Sequence, residues 1–135
     1  ICLLQILELC FRTEILIQNQ TTGKQLSSIN QLKEVLDFIR SHYAEEITLK
    51  ELADIACMSP TYFCRYFHQE IGKTPFAFLN EYRIKKAAIL LDDSSLSVSD
   101  IAINCGFDNI SYFIRKFKEY QGITPKKYRS RKMPE

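Results

Sequence analysis

The sequence repeats one pattern twice, about fifty residues apart, and this repeat constrains the fold more than any other feature. The first copy runs from Glu51 to Phe78 and the second from Asp100 to Tyr128. The offset is 49 residues before the turn and 50 after it, which places one inserted residue in the second turn. The residues of the first copy that match the second are Leu52, Ala53, Met58, Tyr62, Phe63, Arg65, Phe67, Gly72, Thr74 and Pro75. A solenoid needs roughly three or more stacked units, so two copies indicate a pair of helix-turn-helix units.

Each copy has the signals of a short helix, a tight turn and a second helix. In the second copy, Gly106 can adopt the positive φ that the turn needs, and Asn109 can cap the helix that follows. Gly122 ends that helix, and Thr124 followed by proline starts another. Helical periodicity predicts two faces. The buried stripe is Phe113, Phe117 and Tyr120, and the opposite side carries Ile110, Ser111, Ile114, Arg115 and Lys118.

Capping boxes predict the starts of three further helices. They pair Ser28 with Gln31, Thr48 with Glu51, and Ser97 with Asp100. Between the copies, residues 75–91 form one apolar-periodic stretch, predicted to be a rigid linker helix on the order of 25 Å long. Its cations Arg83, Lys85 and Lys86 are expected to face outward. Phe63, Phe67, Phe113 and Phe117 are assigned to the core.

These signals predict an all-α fold with two helix-turn-helix subdomains joined by a long linker helix and preceded by an N-terminal amphipathic helix. The predicted parts are the N-terminal helix at 1–18, a polar linker at 19–28 and a domain at 28–135, divided at about 29–74, 75–91 and 97–129. The apolar face of the N-terminal helix has two interpretations: it packs on this chain, or it contacts an upstream domain or a twin subunit. The chain begins with Ile1, which suggests a fragment.

The five cysteines have neither the spacing of a zinc site nor that of a small disulfide framework, which favours a reduced intracellular chain. Cys105 is predicted to be a small buried hydrophobe. Cys64 has two open interpretations, a ligand contact or an incidental surface residue. No stretch approaches the roughly 20 apolar residues of a membrane span, so no membrane partner is expected.

Charge is distributed unevenly although the net value is only +2. Residues 1–46 carry four basic and six acidic side chains, whereas residues 96–135 carry eight basic and four acidic ones. Charge alone would be compatible with a solvated surface. Together with two helix-turn-helix units, whose second helices have the geometry that enters a major groove, it favours double-stranded DNA as the partner.

Two other functional classes receive less support. An enzyme is not expected, because no phosphate loop, metal-ligand spacing or nucleophile motif is present, and neither a cofactor nor a metal is implied. His42, near a helix end, and His68, on an outward face, are interpreted as solvated surface residues. The alternative is a helical protein-interaction module without DNA binding, because helical pairs also bind peptides.

The pattern A-x-x-x-G-F-x-x-x-S-Y-F-x-R-x-F-K-x-x-x-G-x-T-P-x-x-Y-R, present from Ala102 to Arg129, resembles the signature of the AraC/XylS family of bacterial transcription regulators. The stretch Tyr82-Arg83-Ile84 resembles the central helix of that family. The resemblance covers about residues 28–129. It implies sequence-specific promoter binding, activation through contact with RNA polymerase, and a nucleoid-associated, cytoplasmic location. It also implies an upstream domain for ligand binding or dimerisation.

Carried over by position, the resemblance implies two sets of DNA contacts. The base-contacting residues are Thr61, Cys64, Arg65 and His68 on the first recognition helix, and Asn109, Ile110, Ser111 and Arg115 on the second. The phosphate-contacting residues are Thr48, Lys50, Ser99, Lys118 and Lys126. Cys64 and Ile110 stand where longer polar side chains are common in the family. Neither can make the paired hydrogen bonds by which glutamine binds adenine, although either can touch a thymine methyl.

Overall fold

The computed structural model describes residues 23–131, and this range contains seven helices and no strand. The helices are α1 (Gly23–His42), α2 (Leu49–Ile55), α3 (Pro60–Ile71), α4 (Pro75–Asp93), α5 (Val98–Asn104), α6 (Ile110–Gln121) and α7 (Pro125–Ser130). The predicted all-α fold with two helix-turn-helix units and a long intervening helix is confirmed. The helix predicted at 1–18, with Cys2 and Cys10, lies outside the described residues. No described helix has the length and apolarity to cross a membrane.

Helix α1 begins earlier than the sequence predicted. It starts at Gly23, so Ser28 and Gln31 lie inside a helix and do not form its first turn. Part of the predicted polar linker at 19–28 is therefore helical. Lys, Gln and Leu, which follow Gly23, are good helix formers, and they extend the helix backwards past the local capping signal. Helix α4 likewise runs two residues past the predicted end at residue 91.

The chain divides into two compact units, and the described part of the first comprises residues 23–41 and 47–77. Helix α1 contributes a buried row at helical spacing, formed by Leu32, Val35, Leu36 and Ile39. Helix α2 begins with the predicted capping box. The Thr48 hydroxyl accepts the Glu51 N–H at 3.2 Å, and Glu51 Oε2 accepts the Thr48 N–H at 2.9 Å. Phe63 and Phe67 of α3 are fully buried, as predicted.

The described part of the second unit comprises residues 42–46 and 78–131. Its core joins the inner face of α4 to α5, α6 and α7. The buried members are Ile84, Ala87, Ala88, Leu91, Ile101, Ala102, Cys105, Phe107, Phe113, Phe117 and Tyr128. Phe113, Phe117 and Cys105 are fully buried, which confirms their assignment to the core. Two residues differ from prediction: Tyr120 is 38% exposed, and Ile114 packs against this core.

The outward positions predicted for Arg83, Lys85 and Lys86 are wrong. Arg83 donates to two carbonyls of the segment 42–46, with Nε 2.6 Å from Tyr43 O and Nη2 2.8 Å from Glu45 O. Lys85 forms an ion pair with Glu81 at 3.2 Å. The Lys86 ammonium lies 5.8 Å from the Tyr43 ring centroid and 5.5 Å from that of Tyr82. All three cations therefore make their contacts with other residues of the second unit.

The two copies match in their buried anchors and in their helix ends. Leu52 and Ala53 of α2 and their counterparts Ile101 and Ala102 of α5 are all fully buried. Gly72 and Gly122, with φ of +86° and +85°, end α3 and α6. The sequence repeat therefore corresponds to a structural repeat, and each unit contains one copy of it.

Candidate nucleic-acid interface

Helix α3 is fixed at its start and along one side, which leaves its opposite face free for contacts. Ser59 caps the helix by accepting the Tyr62 N–H at 3.3 Å, and Pro60 occupies the first turn. Because Phe63 and Phe67 point into the core, the residues on the other side face solvent. Thr61, Arg65 and His68 are exposed, and Cys64 is partly buried. The four predicted base-contacting residues of the first copy thus share one helical face.

Helix α6 repeats this construction in the second unit. Asn109 caps it, with Oδ1 accepting the Tyr112 N–H at 3.0 Å, and Phe113 and Phe117 anchor the inner side. Outward from this core lie Ile110, which is 38% exposed, and the exposed residues Ser111 and Arg115. The Asn109 amide nitrogen is not used by the cap and remains a donor. Of the predicted base-contacting residues of the second copy, Ser111 and Arg115 share one outward face of α6, and Asn109 and Ile110 lie at its start.

The predicted phosphate-contacting residues have different surroundings. Lys50, Lys118 and Lys126 are exposed, and Ser99, in the first turn of α5, is partly buried. Thr48 uses its backbone N–H and accepts with its hydroxyl in the capping box, so its hydroxyl proton is the donor that remains.

Basic side chains of the second unit divide into those that bind the protein and those that face solvent. Arg129 Nη2 donates to Leu96 O at 2.6 Å, and Lys116 binds Glu119 at 3.0 Å, a hydrogen bond that raises the pKa of the Lys116 ammonium. Burial lowers the pKa of the Arg83 guanidinium, an effect that Asp108 opposes. Arg115, Lys118, Lys126, Lys127 and Arg131 are the described basic residues of α6, α7 and the position after α7 that are exposed. The solvent-facing positive charge of this part therefore lies on the recognition helix and just beyond it.

The sequence did not single out as functional Tyr112, which lies beside Arg115, or Asn80, which binds Tyr112. The Arg115 guanidinium carbon lies 5.3 Å from the centroid of the Tyr112 ring, and the Tyr112 hydroxyl accepts a hydrogen bond from Asn80 Nδ2 at 3.2 Å. The spacing of Tyr112 and Arg115, three residues apart on a helix, could have predicted the first contact. Asn80 is 32 residues away from Tyr112 and gives no local signal.

Metal binding receives no support from the described residues. Among them, no group of three or more His, Cys, Asp or Glu side chains could hold a metal ion. His68 is exposed on α3, and His42 is the partly buried last residue of α1. The arrangement favours binding by two outward helix faces.

Known proteins show the same domain. A family model described as a helix-turn-helix domain matches residues 52–131. The uncharacterized HTH-type transcriptional regulator YdeC of Bacillus subtilis is 36% identical over 100 residues, which cover 74% of this chain and 34% of YdeC. The chain thus spans about a third of the length of that relative.

Solved structures agree with the sequence relatives. The DNA-binding domain of the global transcriptional factor AdpA, solved in complex with a target DNA, matches with a TM-score of 0.72 and 32% identity, over 75% of this chain and 91% of that one. A probable AraC family transcriptional regulator from Rhodopseudomonas palustris matches with a TM-score of 0.71 and 27% identity, over 78% of this chain and 99% of that one. With its two helix-turn-helix units and a family match over most of its length, the chain belongs to the AraC-type family of helix-turn-helix domains.

Proposed function

We propose that this chain is the DNA-binding part of a transcription regulator and that each of its two recognition helices, α3 and α6, enters a major-groove segment of promoter DNA. The observation that carries the proposal is the repeated construction of these helices. In each, two buried phenylalanines hold the inner face, and an exposed arginine, Arg65 or Arg115, stands on the outer face. The similarity to AdpA, whose DNA-binding domain was solved with its target DNA, supports the same partner.

The outward residues have chemistry suited to base edges. Arg65 and Arg115 can each donate two hydrogen bonds to the O6 and N7 of guanine. Thr61, His68, Asn109 and Ser111 offer shorter polar contacts. Cys64 and Ile110 lack paired donors and acceptors, so they would contact the methyl group of thymine. The target would therefore be recognised partly through apolar contact.

Phosphate contacts would fix the orientation of each unit on the duplex. Lys50, Lys118 and Lys126 are exposed cations for this role, and the hydroxyls of Thr48 and Ser99 are donors near the starts of α2 and α5. Such contacts carry no sequence information themselves, but they supply much of the affinity and make it depend on salt.

The longer protein implied by the relatives would add further properties. Because the chain spans 34% of the length of YdeC, an upstream domain that binds an effector or dimerises fits the remaining length. Activation through contact with RNA polymerase, in the cytoplasm at the nucleoid, is the role proposed for the whole protein.

Selection of bound duplexes from a random pool, followed by a footprint of the preferred sequence, tests the proposal. We expect a defined sequence preference and an affinity that falls steeply as salt rises. A chain that ignores duplex DNA at low salt and captures peptides would instead be the interaction module that forms the alternative.

Arg115→Ala separates base recognition from phosphate binding. Because a paired contact to guanine discriminates by about 1 to 3 kcal/mol, the variant should lose preference at one end of the site and keep it at the other. Lys126→Ala is the matched control, which should weaken all duplexes uniformly and lower the salt slope by about one. Relative affinities for single-base-pair substitutions measure both effects. A uniform loss in Arg115→Ala would make Arg115 a phosphate contact.

A further inference from the structure

Tyr112 is held from two directions on helix α6. Its partly buried ring packs against the core of the second unit, with its centroid 6.2 Å from that of Phe107. Its hydroxyl accepts the hydrogen bond from Asn80 Nδ2 at 3.2 Å, and Asn80 belongs to helix α4. The ring therefore has a fixed position relative to the exposed face of α6.

Arg115 lies one turn further along α6, against this fixed ring. Its guanidinium carbon is 5.3 Å from the Tyr112 centroid, within the roughly 6 Å at which a cation is attracted to an aromatic face. Lys116 Nζ lies 5.6 Å from the same ring and is also bound to Glu119 at 3.0 Å. A long exposed arginine normally samples many rotamers, and contact with a fixed ring reduces that freedom before any ligand binds.

We propose that Tyr112 is a positioning residue that holds the Arg115 guanidinium ready for its base contact, and that Asn80 holds Tyr112 in place. A residue of α4 would in this way contribute to base discrimination by α6. The inference rests on the proposed function, because it assumes that Arg115 contacts a base.

The first copy provides a control within the same chain. Tyr62, the counterpart of Tyr112, is 54% exposed and stacks on Tyr66 with ring centroids 6.3 Å apart and an interplanar angle of 10°. The two tyrosines occupy matching places in the repeat but have different surroundings. Tyr62→Leu should therefore leave discrimination at the α6 end of the site unchanged.

The experiment measures discrimination, defined as the ratio of affinities for the selected duplex and for duplexes with one substituted base pair. Tyr112→Leu should lower discrimination about two- to fivefold at the position that depends on Arg115, the factor expected from one exposed cation–π contact. Affinity for non-specific duplex should stay within about twofold, because phosphate contacts are untouched. In an Arg115→Ala background, Tyr112→Leu should have no further effect on discrimination.

Two conservative variants test the role of Asn80 and keep the ring in the fold. Tyr112→Phe and Asn80→Ala each remove the hydrogen bond while the aromatic ring remains. Each should reduce discrimination by a smaller and similar factor, and the double variant should equal either single one. Their circular dichroism and thermal melting establish that the variants are folded at the assay temperature.

Three outcomes contradict the inference. Tyr112→Leu could weaken every duplex equally, which would give the ring a purely structural role. It could lower discrimination as much without Arg115 as with it, which would show that it acts on another residue. A wild-type chain without sequence preference overturns the proposed function as well, whereas the first two outcomes leave that function standing.

Discussion

A positive backbone φ occurs at corresponding positions of the two turns, on a cysteine in one and on a glycine in the other. Cys57 has φ +55° and Gly106 has φ +92°. A Cβ added at Gly106 would lie 2.6 Å from the Tyr43 carbonyl oxygen and 2.9 Å from Arg83 Nε. The second turn therefore requires glycine at position 106, because of both its backbone conformation and the lack of space for a Cβ. In the first turn, Cys57 adopts a conformation that L residues rarely adopt.

Cys57→Gly should stabilise the protein by about 0.5 to 1 kcal/mol. Relief of left-handed strain contributes about 1 to 2 kcal/mol, and the greater flexibility of unfolded glycine offsets part of it. The matched change Gly106→Ala should destabilise by about 2 kcal/mol or more, since strain and steric overlap act together. Urea unfolding of both variants measures the free energies. A destabilised Cys57→Gly would show that the first turn is not strained.

Because Cys105 is buried, the free energy of unfolding should depend on pH in the alkaline range. Burial raises the pKa of its thiol to about 11, against the opposing charges of Arg83 and Lys86. The unfolded thiol ionises near pH 9, so this contribution is complete below that pH and is lost as pH rises toward about 11. The difference in unfolding free energy between wild type and Cys105→Ala should therefore shrink between pH 8 and pH 11. A difference independent of pH would contradict the shifted pKa.

Among the elements, the end of helix α4 and the connection after it receive hydrogen bonds from Arg129 of α7. Arg129 Nη2 donates to Leu96 O at 2.6 Å and to Ser94 O at 3.4 Å, and Nε donates to Leu91 O at 3.5 Å. The last carbonyls of a helix have no partner within it. Arg129 supplies donors to the end of α4 and to the residues that lead into α5, so it fixes the start of the second helix-turn-helix unit.

Arg129→Ala should lower the free energy of unfolding by about 2 kcal/mol, because one hydrogen bond from a charged group contributes about 1.5 to 3 kcal/mol and the part-buried contacts to Leu91 and Ser94 would be lost as well. Arg129→Lys should recover less than half of this, since an ammonium cannot reproduce the planar fork of a guanidinium. Arg131→Ala is the control: Arg131 is exposed, with its guanidinium carbon 3.8 Å from the Tyr128 ring centroid, and its loss should have a smaller effect. Urea unfolding followed by circular dichroism compares the three. Equal losses for Arg129→Ala and Arg131→Ala would refute a specific role for the carbonyl contacts.

Local signals predicted the helices well, and distant contacts explain what they missed. The caps at Thr48, Asn109 and Thr124 each join residues three apart, so the sequence contains both partners. Arg83 and Arg129 find carbonyls 40 and 33 residues away. The helical pattern treats a charged side chain as an outward one, because it carries no information about carbonyls that are distant in the sequence. Arg83 was therefore predicted to face outward.

The candidate interface follows the same division. Most of the outward residues of α3 and α6 were predictable, because buried phenylalanines at helical spacing determine which residues lie opposite, but Ile114 was predicted outward and packs against the core. The contact between Asn80 and Tyr112 was not, because it joins α4 to α6 through the fold of the second unit. The roles of the individual outward residues in DNA binding stay predictions.

At the scale of the whole molecule, one chain carries two recognition helices with different outward residues. The exposed residues Thr61, Arg65 and His68 of α3 correspond to Ser111, Arg115 and Lys118 of α6. Two identical subunits related by a two-fold axis recognise a palindrome. Two unlike units that follow one another in a single chain need no such symmetry, so the preferred site should consist of two dissimilar halves.

The spacing of these halves is the last prediction. Successive major-groove segments on one side of a duplex lie about 34 Å apart, which is one helical turn of about ten base pairs. If one chain binds both segments, inserting about five base pairs between the two half-sites turns one of them to the opposite side of the duplex and should abolish tight binding. Inserting about ten base pairs returns that half-site to the original side but lengthens the distance between the two. Quantitative gel shifts with the parent and both insertion duplexes measure this, and Arg65→Ala and Arg115→Ala identify which half each helix contacts. Full affinity for the five-base-pair insertion, or a footprint that covers one half only, would mean that the two units do not bind DNA together.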